Sequence, residues 1–151
     1  MKVGDATIRS RMAGLDLPDV GEPAFVRPPT LAEATVAVVT SAGLQRPGDD
    51  IWKQGDQSFR QFNASERDLT LSHVSNNFDR SGFVADLNVV YPLDRLDELA
   101  TEGVIGAVSS THLSFMGALD ETMSTLRHDT GPAAAEVLKE AGTDVVLLTP
   151  V

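Results

Sequence analysis

The 151-residue chain contains no cysteine. That excludes disulfides, thiolate metal sites and a cysteine nucleophile drawn from these residues. Aromatic residues are few: one Trp, one Tyr and six Phe. No stretch of about 18 apolar residues occurs, so no transmembrane helix is expected. The N-terminus lacks the apolar run of a signal peptide, and the cytoplasm is the expected compartment. Basic residues are scarce, 12 Lys and Arg against 22 Asp and Glu, for a formal net charge of −10. A surface of that sign repels nucleic-acid backbones and anionic membranes, so neither is an expected partner. The three histidines show no HxxxH or HExxH spacing, and no metal site is expected.

What remains is an ordinary globular composition, 42% hydrophobic and long enough for one domain with a real core. Residues 1–34 read as an irregular N-terminal arm. Pro18, Pro23, Pro28 and Pro29 interrupt regular structure there, and Leu15, Leu17, Phe25 and Val26 offer apolar anchors. Residues 35–151 read as an α/β domain. Its first strand is the β-branched run Thr35–Thr40, closed by Ser41-Ala42-Gly43. A long polar loop is expected from Gln45 to Asp68, then a short strand Leu69–His73 and a turn-rich stretch to Gly82.

Leu87–Tyr91 reads as a strand or extended run. Pro92 opens a helix in which Leu93, Leu96, Leu99 and Ala100 share one face, and Gly103 closes it. Val104–Val108 reads as a strand and Ser109–Gly117 as the loop after it. Two helices follow, about Leu119–His128 and Pro132–Ala141. Thr130 is the expected N-cap of the second and Gly142 its terminator. Asp144–Thr149 is a continuous apolar run of the kind found in central parallel strands. Alternating strands and helices predict a mostly parallel sheet with flanking helices, a Rossmann-like three-layer α/β architecture.

In such sheets ligands sit beyond the carboxyl ends of the strands. That selects Ser41–Gly43, the stretch from His73, the stretch Ser109–Gly117 and whatever follows Thr149. Ser41 and Gly43 can present a small-residue loop to an anion, although neither GxGxxG nor a Walker A pattern is present. Arg60 can hold a carboxylate bidentately or simply pair with a surface acid. His73, with Asp79 six residues on, and His112, with Ser114 beside it, are candidate acid/base groups. Either can equally be a structural histidine. His128, in a helix C-terminal turn, is explained by the helix dipole alone. Asp86 and Asn88 are weaker candidates. Ser72, His112 and Asp86 make a triad only on paper, since no GxSxG elbow exists.

Six segments carry a resemblance: Val36–Gly43, Gly55–Arg60, Leu71–Asp79, Asp86–Val108, His112–Gly117 and Thr130–Pro150. Together, in this order and at similar spacing, they resemble the selenoprotein B family of glycine, sarcosine, betaine and D-proline reductases. The resemblance implies a reductive cleavage of a C–N bond in a small amino acid or betaine. It also implies a selenocysteine or cysteine nucleophile, a partner subunit whose pyruvoyl group activates the amine, and a dithiol or thioredoxin-type reductant. The family places its redox-active residue just after the strand ending in Thr149-Pro150, so the nucleophile is expected after Val151 and the domain is expected to be incomplete there. A UGA codon read as stop, a truncation and a natural short protein all fit that expectation. His73 and His112 would then serve proton transfer, and Ser41, Gly43, Arg60, Asp86, Asn88 and Ser114 would line the substrate pocket. The chain alone is expected to be inactive. The other readings are a non-catalytic small-molecule-binding module and a subunit-interaction module, with homo-oligomerisation open.

Overall fold

In the computed structural model the described residues are 26–75, 80–119 and 122–151, with positions 6, 7, 10, 13 and 14 nearer the N-terminus. Of the expected arm anchors, Leu15, Leu17 and Phe25 lie outside the described residues, and Val26 is 82% exposed. Ala6, Thr7, Ser10 and Ala13 have helical backbone, so the expected irregularity does not hold at those positions.

The main sheet is built on β1 (Thr35–Thr40). β5 (Ala107–Val108) pairs with it in parallel at Thr35 and Val36, and β6 (Thr111–Phe115) at Val39 and Thr40. β7 (Val145–Thr149) pairs in parallel along Val36 to Thr40. It overlaps both other registers, so it occupies the opposite side of β1. β3 (Phe59–Asn63) runs antiparallel to β6 and forms the far edge. β2 (Leu44–Gln45) and β4 (Thr70–Leu71) make a separate two-stranded antiparallel sheet. The mostly parallel α/β class expected from the sequence is the observed one.

Helices complete the layers. α1 spans Ser81–Ala85, α2 Leu93–Thr101 and α3 Gly131–Glu140. On one face of the sheet Val36, Val38 and Phe62 pack with Tyr91, Leu93, Leu96 and Ile105. On the other, Ala37 and Leu113 pack with Ala134 and Leu138 of α3. Side chains alternate across a strand, which is why consecutive β1 residues serve different cores. Trp52, Tyr91 and Phe62 are among the largest fully buried side chains, and burying a side chain of Phe size contributes about 1.5–3 kcal/mol. Gly103, at φ 72°, ends α2 as expected, with Val104 N–H donating to Leu99 O at 2.9 Å.

Several expectations are corrected. The segment Gln45–Asp68 is not one loop, since it contains β3. Ser109–Gly117 is not a loop, because β6 occupies most of it. Of Leu69–His73 only Thr70 and Leu71 pair, and outside the main sheet. Leu87–Val89 is a 3-10 turn, because the Asp86 side chain accepts the Asn88 N–H and folds the chain locally. The helix expected over Leu119–His128 appears as a π-helical turn, Leu126–Thr130, running into α3. Thr130 does not cap α3, because its hydroxyl donates to Gln57 O instead. β7 is parallel but lies at the sheet edge, not its centre.

Candidate functional site

The strands β1, β6 and β7 point their carboxyl ends to one place. There Val39, Thr40, Ser41, Phe115, Met116, Gly117, Leu148, Thr149 and Val151 help line a cavity of about 470 Å³. This is the position the parallel-sheet rule selects.

Hydrogen bonds tie the three strand ends together. Ser41 N–H donates to Thr149 O at 3.2 Å, and Gly117 N–H donates to Ser41 O at 2.9 Å. Val151 N–H donates to Ser41 Oγ at 2.8 Å. The Ser41 side chain therefore fixes the segment leaving β7. Thr149 Oγ1 donates to Val90 O at 2.7 Å, anchoring the same segment to the opposite layer.

Gly117 is the steric centre of this junction. A Cβ there would lie 2.9 Å from His73 Nε2 and 3.0 Å from both Ser41 O and Val151 O. Gly43, at φ 64°, makes the neighbouring turn, and a Cβ on it would lie 3.2 Å from the His73 backbone. Ser41, Gly43, His73 and Gly117 thus meet at the strand ends. His73 is buried, and Ser75 N–H donates to its Nδ1 at 3.2 Å, which places the ring proton on Nε2 on the Gly117 side. Burial, and secondarily the Arg80 guanidinium, holds the imidazole below its ordinary pKa, so it is neutral at pH 7. Asp79 lies outside the described residues.

The other sequence candidates sit elsewhere. His112 is not in a loop but inside β6 and fully buried. Its Nδ1 accepts the Val38 N–H at 2.9 Å, and its ring meets Tyr91 edge-on at 5.7 Å. Burial lowers its pKa to about 4. Ser114, also in β6, accepts the Leu44 N–H at 2.9 Å and so joins β6 to β2. Arg60 stacks over Trp52 at 4.3 Å, donates to Asp50 O and pairs with Asp49 at 3.5 Å. Asp86 and Asn88 form an exposed capping cluster with Asp94. Among the described residues no group of three or more His, Asp or Glu side chains is placed to hold a metal ion, and no helix is long and apolar enough to cross a membrane.

Phe115, Met116 and Gly117 fall in the Ser109–Gly117 stretch selected from the sequence, whereas the lining residues Val39, Thr40, Leu148 and Thr149 were not singled out. These last four lie at the carboxyl ends of β1 and β7, and that position was their available signal. Among the described residues the cavity lining is made of apolar and hydroxyl side chains and glycine.

The fold and site together define an α/β domain with a small strand-end pocket. The model of the family described as glycine/sarcosine/betaine reductase selenoprotein B matches residues 17–151. The chain belongs to this family. It is 38% identical over 122 residues to D-proline reductase subunit gamma of Acetoanaerobium sticklandii, covering 79% of this chain and 49% of that one. It is 31% identical over 139 residues to glycine reductase complex component B subunit gamma of Carboxydothermus hydrogenoformans, covering 84% of this chain and 32% of that one. The chain therefore spans half or less of the curated relatives it matches. No solved structure matches it.

Proposed function

We propose that this chain forms the pocket wall of a reductase that cleaves a C–N bond of a small amino acid or betaine. The observation that carries the reading is the coincidence of the family match over residues 17–151 with a pocket at the strand ends of the same stretch. The chain has no cysteine, so the attacking selenol or thiol comes from outside these residues. When present, that group supplies the nucleophile that displaces nitrogen, a partner's pyruvoyl group activates the amine, and a dithiol regenerates the selenol or thiol.

The chain's own residues suit such a group. Ser41 holds the backbone after β7 in place through its bond to Val151 N–H. We assign proton transfer to neutral His73, whose Nε2 lies beside Gly117, a residue of the cavity lining.

The test is titration of the purified chain with glycine, sarcosine, betaine and D-proline, followed by methyl NMR of Met116 and Leu148. Binding of one of them with shifts confined to the pocket, and no turnover with dithiothreitol, is the expected result. Turnover by the 151 residues alone, or binding centred away from the strand ends, would overturn the reading.

A further inference from the structure

β7 is built like an interior strand and placed like an edge strand. Its sequence, Val145-Val146-Leu147-Leu148-Thr149, is apolar on both faces, the pattern of parallel strands covered on both sides. Yet Val146 is 39%, Leu147 40% and Leu148 67% exposed, with Val146 and Leu148 on one face and Leu147 on the other. Among the described residues β7 pairs only with β1. Among the described residues, alternate peptide groups on its outer side therefore have no strand to pair with, a configuration that proteins ordinarily protect.

The opposite edge of the same sheet shows what protection looks like. β3 carries Arg60, Gln61 and Asn63 and is covered by its own ion pairs and loop contacts. Among the described residues β7 has no such device.

We propose that the outer edge of β7 receives a further parallel strand from the part of the family polypeptide outside these 151 residues. The relatives are long enough to supply such a strand, since the match leaves 51% of the D-proline reductase subunit and 68% of the glycine reductase subunit uncovered (100 less the covered 49% and 32%). A second copy of this chain fits less well. Two β7 edges related by a twofold axis would pair antiparallel, and a five-residue edge is far short of the roughly 1,200 Å² of a stable interface. The proposal does not depend on the reductase reading.

The experiment compares hydrogen exchange in β7 of this chain with exchange in the matching strand of full-length Acetoanaerobium sticklandii D-proline reductase subunit gamma. The outward amides should exchange as exposed peptides here and at least ~100-fold slower in the longer protein. Equally fast exchange in both, or a crystal structure of that subunit with the matching strand at a bare edge, overturns the proposal. Slow exchange in this chain alone, together with a dimer mass in sizing chromatography, also overturns it and assigns the edge to a second copy.

Discussion

His112 Nδ1 accepts the backbone N–H of Val38 across a gap in the sheet. β5 ends at Val108 and β6 begins at Thr111, so the ladder beside β1 is interrupted and a side chain supplies the missing acceptor. An imidazolium cannot accept this bond. Burial keeps the ring neutral, with a folded pKa of about 4. The unfolded chain binds the proton near the ordinary value of about 6.5, so the contribution is complete above that value and is lost as pH falls toward 4. Denaturant midpoints should fall from pH 7.5 to pH 5, with a loss of about 2 kcal/mol at pH 5 and about 3 kcal/mol once the pH is below 4. His73, shifted in the same direction, adds to the slope. His112→Leu should be less stable at pH 7.5 and show a flatter profile. An unchanged slope in that variant would remove His112 as the cause.

Gly117 and Gly82 make a controlled pair. A methyl at 117 meets the His73 ring and two carbonyl oxygens at 3.0 Å or less, whereas a methyl at 82 meets nothing within 4 Å. Gly117→Ala should cost about 1–3 kcal/mol by overpacking and reshape the pocket. Gly82→Ala, inside α1, should be neutral or stabilise by up to about 1 kcal/mol. Thermal melts of the two variants decide this, and equal effects would mean the strand-end junction is looser than described.

The parts of this fold that were legible are those where local chemistry and burial agree. Thr35–Thr40 is β-branched and became β1 at the expected bounds, and the leucine spacing after Pro92 became α2 with Leu93 and Leu96 buried. β6 was illegible because its inward positions include His112 and Ser114, polar residues that are buried only because each takes a backbone N–H from a neighbouring segment. β3 was hidden because Phe59 and Phe62 fall on opposite faces, which breaks the alternation. The strand-end rule points to the loop after β1, where Ser41 lines the cavity and Gly43 makes the next turn. The rest of the lining was not legible, because apolar lining residues such as Val39 and Leu148 look like core in a sequence.

Arg60 was the natural candidate for a substrate carboxylate, and the structure places it against Trp52, Asp49 and Asp50 O. Its partners hold the loop that covers Trp52, the chain's one tryptophan. Arg60→Met should therefore shift Trp52 fluorescence and cost about 1 kcal/mol. Ligand affinity should stay within about twofold, because Arg60 does not line the pocket. An affinity loss above about tenfold, roughly 1.4 kcal/mol, would return Arg60 to the site.

Ser41 is the side chain on which the pocket's geometry most depends. Its Oγ accepts the Val151 N–H at 2.8 Å, and its carbonyl accepts the Gly117 N–H at 2.9 Å. The second bond is backbone and survives substitution, so Ser41→Ala removes only the tether on the segment after β7. Loss of a neutral hydrogen bond of this kind costs about 0.5–1.5 kcal/mol. Because the tether is local, most of that loss should appear as ordering at Pro150 and Val151 and little in the global unfolding midpoint. The expected signature is faster hydrogen exchange at Val151 and a ligand affinity reduced by about threefold to tenfold. Ser41→Thr keeps the hydroxyl and should recover part of both. If Ser41→Ala lowers the midpoint by its full value and leaves affinity intact, Ser41 belongs to the core of the fold and not to the pocket.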